Sequence, residues 1–282
     1  MIKEKIQDAI KDMYTRVVFE EDGHTYKRVS DGAWLQGVST VSSIVPKDWL
    51  SAWGSKEAVK FLGYSDYEED TEKAAQVLDA IRGLDVPGYL LLLKEAKGAA
   101  FRKSKEALVD GKTGHKWLED YVLAQIRGEF PPMVPDGGNL IRPIQQFLGW
   151  EKENVKEWIA SEARVAYPEK MYAGTLDALA ILKGGKLALI DFKFASHISE
   201  EYALQLAGYA ATFEPYGIKF DQRIILRLPK TLEMDEWDPK TRKYSKVENT
   251  LEARVISTDY ELDKEAFFAA LVVKRWINVV TK

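Results

Sequence analysis

Two charged residues end an otherwise apolar segment, GGKLALIDFKFA at residues 184–195. In a β-strand, side chains that are two residues apart lie on the same face. One face of the strand predicted here carries Leu187, Leu189, Asp191 and Lys193. This face begins apolar and ends with a carboxylate beside an ammonium group. The pattern therefore predicts a strand that starts inside a core and ends at a site that uses both charges.

A second carboxylate lies on the segment before this strand. The segment MYAGTLDALAIL contains Asp177 and predicts a strand, and Gly184–Gly185 predict a tight hairpin between the two strands. Antiparallel neighbours would bring Asp177 opposite Asp191 and Lys193. Two carboxylates that lie close together raise each other's proton affinity unless a cation separates them. We therefore expect Mg²⁺ or Mn²⁺ at this point, with Lys193 orienting water and stabilising negative charge.

The order of the predicted elements indicates the fold class. A helix near residues 139–157 precedes three strands, and a helix and a further strand follow them. A helical pattern also covers residues 87–127, with a break expected near Gly111. This order favours an α/β fold with a mixed core flanked by helices. We expect residues 1–110 to form a mostly helical and β-hairpin addition that packs on the core, and residues 111–282 to form the core with a C-terminal helix.

The composition excludes several kinds of site. The 282 residues include no cysteine, so disulfides, thiolate zinc sites and iron–sulfur clusters are excluded. No apolar run is long enough to cross a bilayer, and the N-terminal segment mixes acids with bases, so we expect a cytoplasmic protein without a membrane partner. The net charge of −4 argues weakly against a nucleic-acid partner. Carboxylates of a metal site contribute to that charge, however, and the metal itself is not counted.

Four short motifs follow one another in the sequence: GKTGH, AGTLD, LIDFK and LQLAGY. Taken alone, an Asp-x-Lys pair is most often a surface ion pair of about 0–1 kcal/mol. In this order and on these elements, the motifs resemble those of the RecB-like branch of the PD-(D/E)xK nuclease superfamily. That branch carries G-x-x-x-H, G-x-x-D, D-x-K and Q-x-x-x-Y, and the similarity covers about residues 111–228. The resemblance implies a restriction-endonuclease-like mixed β-sheet core flanked by helices.

The resemblance implies a metal site with a catalytic lysine. The implied metal ligands are His115, Asp177, Asp191 and the backbone carbonyl of Phe192. Lys193 would be the catalytic lysine. The implied metal is Mg²⁺ or Mn²⁺, and the cysteine ligands of an iron–sulfur cluster, which some members of this branch carry, are missing.

Three more residues match the branch outside its metal motifs. Gln205 and Tyr209 are four residues apart, so they share one helix face. The resemblance implies that they support the site or contact the DNA strand. Glu162, on the first predicted strand, resembles an acidic residue that this branch often carries upstream. Leu176 stands where the superfamily motif has proline, a departure that is common in this branch.

A metal-dependent DNA nuclease is the function that the resemblance implies. The segment HTYKRVSDGAWLQGVSTVSSIV is similar to the N-terminal segment of phage-borne and mitochondrial-type single-strand exonucleases. We therefore expect an exonuclease that hydrolyses phosphodiester bonds of single-stranded DNA or DNA ends in recombination or repair, and that is encoded by a phage. A recombination protein or a single-strand-binding protein is the expected protein partner. Two alternatives stay open: a structure-specific endonuclease of the same fold, and a non-catalytic relative that binds nucleic acid.

A short basic segment precedes the first motif. Arg102, Lys103 and Lys105 lie on a predicted helix in a chain that is otherwise acidic. One interpretation is a solvated helix face. The other is a track of cations that binds DNA phosphates and leads the strand toward the site.

Overall fold

A computed structural model of the chain describes residues 2–20, 25–64, 71–135, 138–240 and 243–281. The chain divides into two compact units. The first comprises Met1–Val45, Thr113–Met234 and Glu248–Lys282, and the second comprises Pro46–Lys112 and Asp235–Val247. A domain boundary between residues 110 and 111 is expected from the sequence, and this boundary stays a prediction.

The first unit contains most of the regular structure. Its N-terminal elements are α1 (Ile2–Arg16), β1 (Val17–Glu20), β2 (Thr25–Arg28), β3 (Trp34–Gly37) and α2 (Val38–Ser42). Its later elements are the last part of α5 (Val86–Arg127), α6 (Ile141–Asn154), β4 (Val155–Tyr167), β5 (Tyr172–Leu182), β6 (Leu187–Lys193), α7 (Glu201–Ala211), β7 (Gln222–Arg227), β10 (Glu252–Val255) and α8 (Tyr260–Val280).

The second unit is mostly helical. It contains α3 (Asp48–Phe61), α4 (Thr71–Arg82), the first part of α5, and a two-stranded sheet of β8 (Glu233–Asp238) and β9 (Lys243–Glu248). The expected break near Gly111 is wrong, because α5 is one helix of 42 residues. A single glycine inside a helix costs only about 1 kcal/mol relative to alanine, which neighbouring turns of good helix formers offset. Within the described residues, no helix combines the length and apolarity needed to cross a membrane.

The large sheet is open and of mixed orientation, with helices packed against it. It has eight strands in the order β1-β2-β3-β5-β6-β7-β10, and β4 pairs with β5 in addition. The pairs β3–β5 and β6–β7 are parallel, whereas the other pairs are antiparallel. The chain is therefore a mixed α/β protein, as the order of its elements predicts.

The edge of β5 changes partner along its length. One edge is occupied by β4 from Tyr172 to Leu182. The other edge pairs with β3 at Tyr172 and Ala173, and with β6 from Ala178 to Ile181. Among the described strands, none pairs with this edge between Gly174 and Asp177. The sheet therefore has a split beside Asp177, where backbone groups are left for side chains to satisfy.

The two faces of β6 enter different parts of the core. Leu187 and Leu189 belong to a cluster with side chains of α1, α7 and α8, whereas Ile190 and Phe192 belong to a cluster with α5 and α6. The alternation predicted from the sequence is confirmed. The predicted β5–β6 hairpin is also confirmed, because the two strands pair antiparallel with Ala178 opposite Ile190.

Candidate metal centre

Helix α5 brings His115 close to the end of β6. Gly114 packs directly on the aromatic ring of Phe194, and a Cβ atom at this position would overlap that ring. The missing side chain therefore lets the helix approach the strand closely. His115 follows Gly114, and its imidazole meets the ring of Phe194 edge-on, with 5.6 Å between the ring centroids. Gly111, the glycine of the sequence motif, has open space around it.

The carboxylate of Asp177 lies in the split of the sheet. Its Oδ2 accepts a hydrogen bond of 2.7 Å from the backbone N–H of Phe192. Here a side chain accepts the hydrogen bond, whereas from Ala178 onward β5 and β6 are joined by backbone hydrogen bonds. Nδ1 of His115 lies 3.7 Å from the same Oδ2 atom. A histidine nitrogen and a carboxylate oxygen thus face each other at the point where the two strands separate.

Glu162 completes a group of three ligand-type side chains. One ligand atom each from His115, Glu162 and Asp177 lies within 4.8 Å of the other two. The backbone of Glu162 has φ 45°, inside strand β4, which is a left-handed conformation that costs a non-glycine residue about 1–3 kcal/mol. Such strain persists where the surrounding structure requires the side-chain position. One nitrogen and two carboxylate groups at this separation suit a divalent metal ion.

Asp191 and Lys193 form an ion pair beside this group. Asp191 is 2% exposed, and its Oδ2 lies 2.6 Å from Nζ of Lys193. The geometry is that of an ion pair only, since Oδ2 has no aligned hydrogen-bond donor among the described residues. The ammonium group also lies 4.8 Å from the centre of the Tyr202 ring, which attracts a cation. Asp191 is not part of the three-residue group, and its predicted role as a metal ligand stays a prediction.

Burial makes the carboxylates of the site hard to ionise. It raises the pKa of Asp191 to about 6, against the opposing effect of the Lys193 ammonium. Burial and repulsion from Asp177 raise the pKa of Glu162 to about 8. The pKa of Asp177 is raised by burial as well, although Lys193 and the Phe192 N–H favour its charged form. Together these shifts favour the neutral form of each carboxyl group, and a cation bound among them would favour the charged forms.

Near pH 7, the His115 side chain is deprotonated and the Lys193 side chain is protonated. Burial and, to a smaller extent, the charge of Lys193 lower the pKa of His115 to about 4. The imidazole is therefore neutral near pH 7 and keeps a lone pair for a ligand. Burial also acts to lower the pKa of Lys193, but Asp191 and Asp177 raise it above its ordinary value. Lys193 therefore stays charged.

Helix α7 contributes the buried pair Gln205 and Tyr209. Gln205 Nε2 donates a hydrogen bond of 3.3 Å to the Tyr209 hydroxyl, as two side chains on one helix face can. A Cβ atom at Gly174 would lie 2.7 Å from the Tyr209 ring, so this glycine leaves the space that the ring occupies. Burial raises the pKa of Tyr209 well above its ordinary value. The pair supports the strand that carries Asp177, and its expected contact with DNA stays a prediction.

The predicted basic segment belongs to the second unit, and its three cations differ in their contacts. Arg102 pairs with Glu95 at 2.8 Å, and Lys103 pairs with Glu57. Lys105 is exposed. Two of the three cations predicted to bind DNA are therefore engaged within their own unit, and the role of the segment stays a prediction.

Some contacts of the site have no clear signal in the sequence. Gly114 and Tyr202 each follow an ordinary helical pattern, and only the fold shows that they contact Phe194 and Lys193. The hydroxyl group of Tyr26 lies 2.9 Å from Oγ1 of Thr175, two residues before Asp177. Tyr26 comes from the N-terminal hairpin, which the sequence relates to the site only through a resemblance.

No protein-family model matches the sequence, and no curated protein matches it at a significant level. The chemistry of the site is therefore inferred from the arrangement of its own side chains. That arrangement combines a neutral imidazole, a group of hard oxygen ligands and a charged amine at one split of a sheet. These groups suit metal-assisted hydrolysis of a negatively charged substrate.

Proposed function

We propose that this chain is a Mg²⁺- or Mn²⁺-dependent DNA nuclease with the restriction-endonuclease-like core of the RecB-like branch of the PD-(D/E)xK superfamily. One observation carries the proposal. His115, Glu162 and Asp177 bring ligand atoms within 4.8 Å of one another beside the ion pair of Asp191 and Lys193. The order of motifs along the chain adds support, since three of the four motifs supply residues of this arrangement.

The donor set fits a divalent cation. A hard cation takes carboxylate oxygens readily, and neutral imidazole completes many such sites. His115, Glu162 and Asp177 would hold the ion, with the Phe192 carbonyl and Asp191 as further ligands. The buried Oδ2 of Asp191 without an aligned donor is consistent with such a role. The bound ion would lower the pKa of a water molecule and offset charge on the phosphate.

The residues of the chain have separate tasks in the proposed hydrolysis. Lys193 stays protonated, and its Nζ donates hydrogen bonds toward the negative charge that develops on the phosphate oxygens. Asp191 fixes the position of that amine through the 2.6 Å ion pair, and the Tyr202 ring limits its movement from another side. Gln205 and Tyr209, on α7, support the strand that carries Asp177. We propose an exonuclease acting on single strands or ends, in recombination or repair.

Degradation of labelled DNA tests the proposal. The wild-type protein, Lys193→Ala and Asp191→Ala are each incubated with end-labelled linear and circular single-stranded DNA and Mg²⁺. We expect the wild type to degrade the linear DNA and both variants to lose at least about 100-fold in rate, as removal of a charge-stabilising group does. Lys186→Ala is the matched control, because Lys186 is an exposed lysine just before the same strand.

Two outcomes would change the proposal in different ways. If both site variants degrade linear DNA as fast as the wild type, the site assignment is wrong. If the wild type cuts circular DNA, the exonuclease assignment gives way to an endonuclease of the same fold, because an exonuclease needs an end.

A further inference from the structure

One face of the first part of α5 is exposed, basic and partly apolar. At 3.6 residues per turn, side chains within about 40° of Phe101 around the helix axis lie on this face. Between residues 90 and 112 these side chains are Leu90, Lys94, Lys97, Phe101, Lys105, Leu108 and Lys112. All of them are exposed, and Phe101 is 73% exposed. We call this set the α5 lysine face.

No described acid forms an ion pair with the α5 lysine face. None of its four lysines has an ion-pair partner among the residues that the structure describes. The acids of the same stretch are Glu95, Glu106 and Asp110, and each lies more than about 100° away from Phe101 around the axis. Glu95 is engaged by Arg102 at 2.8 Å. The face therefore presents positive charge alone, in a chain whose net charge is −4.

The spacing and the aromatic ring indicate the kind of ligand. Lys94 and Lys112 are about 27 Å apart along the axis at 1.5 Å per residue, so the lysines form a line of charges. Lines of positive charge bind the phosphates of a nucleic-acid strand. Phe101 lies in the middle of that line with its ring in solvent. An exposed ring among cations suits stacking with an unpaired base, whereas the bases of a duplex are covered by their neighbours.

We propose that the α5 lysine face is a binding site for single-stranded nucleic acid, with lysines on phosphates and Phe101 stacked on a base. The site shares no residue with the candidate metal centre and includes only one of the three cations that the sequence suggested, Lys105. The choice of DNA as the strand rests on the proposed nuclease function. The proposal that the face binds a single strand does not rest on that function, because binding needs neither the metal nor hydrolysis.

Fluorescence anisotropy with a labelled oligonucleotide of about 16 thymidines tests the site, since such surfaces bind about 4–16 nucleotides. EDTA in the buffer prevents metal-dependent cleavage. The test variant replaces Lys94, Lys97, Lys105 and Lys112 with alanine. The control variant makes the same change in charge at exposed lysines elsewhere, namely Lys11, Lys156, Lys186 and Lys219.

The expected loss follows from counterion release. Each phosphate contact to a single strand contributes about 0.7 to the slope of log affinity against log salt, so four lost contacts reduce the slope by about 2.8. At about 0.1 M salt the same loss weakens binding by roughly 600-fold. The control variant should keep the slope and most of the affinity of the wild type.

Phe101 is tested by a pair of substitutions. Phe101→Leu keeps an apolar side chain but removes the ring, and we expect binding to weaken by about 5- to 150-fold without a change in salt slope. Phe101→Trp keeps a stacking surface and should bind at least as tightly as the wild type. Both variants change an exposed position, so the fold should be unaffected.

Clear results would overturn the proposal. Equal affinity and equal salt slope for the four-lysine variant and the wild type would exclude the face as a binding site. Wild-type binding to vesicles rich in phosphatidylserine, without binding to the oligonucleotide, would assign the face to a membrane surface instead. If the oligonucleotide binds as expected while the wild type hydrolyses no DNA with Mg²⁺, the binding site stands and the nuclease proposal fails.

Discussion

Replacement of Glu162 by glutamine is predicted to change how stability depends on pH. Burial, together with repulsion from Asp177, raises the pKa of this carboxyl group from 4.5 to about 8 in the folded protein. A group with a raised folded pKa stabilises the fold while it is neutral, and this contribution is lost as pH rises through about 8. Glutamine has nearly the same shape and no charge. Glu162→Gln should therefore keep its stability at high pH, where the wild type loses some.

The size of the effect follows from the shift in pKa. A full change of about 3.5 units corresponds to about 5 kcal/mol. Glu162 is partly exposed, and its titration is linked to that of Asp177, so the full value is not reached. We expect Glu162→Gln to be more stable than the wild type by about 2 kcal/mol near pH 9, and to differ little from it near pH 4.5. The raised pKa of Asp191 adds a pH dependence of the same sign to both proteins.

Urea unfolding of the metal-free protein, followed by circular dichroism across this pH range in EDTA, measures the difference. Glu153→Gln is the control, because Glu153 is an exposed glutamate at the end of α6. If the free energy of unfolding changes with pH in the same way for the wild type and Glu162→Gln, the pKa of Glu162 is not raised in the folded protein and the reasoning is wrong.

Further predictions concern metal binding and packing. Mg²⁺ should raise the melting temperature more at pH 8 than at pH 6, because at lower pH it must displace protons from Glu162 and its neighbours; an equal rise at both values contradicts this. Gly114→Ala should lower the free energy of unfolding by about 1–3 kcal/mol through overlap with Phe194, and Phe194→Leu should recover part of the loss. Asp263→Asn should cost about 3–5 kcal/mol, because it removes the charge that neutralises the buried guanidinium of Arg223, 2.7 Å away. Urea unfolding measures both losses, and an unchanged midpoint for either variant would contradict the packing described here.

The parts of the site that depend on neighbouring residues could be predicted from the sequence. Alternation along residues 187–193 predicts which side chains of β6 share a face, and the two core clusters confirm it. The turn at Gly184–Gly185 predicts that β5 and β6 pair. Both features are readable because strand alternation and turn chemistry are set by neighbouring residues.

Other parts depend on contacts between distant segments. The left-handed conformation of Glu162 lies inside β4, and the split edge of β5 beside Asp177 lies where β3 and β6 separate. No residue type marks either feature. The continuity of α5 through Gly111 is another such case, since the glycine suggests a break that the rest of the helix outweighs. The contact of Gly114 with Phe194 likewise has no local signal, because Phe194 follows β6 and lies 80 residues later in the sequence.

The most direct test of the metal centre is anomalous diffraction from crystals of the wild-type protein soaked in Mn²⁺. We expect an anomalous peak bounded by the imidazole of His115 and the carboxylates of Glu162 and Asp177. Soaked crystals that diffract well but show no peak there, or that show manganese only at other acids, would contradict the metal site and the nuclease function proposed from it.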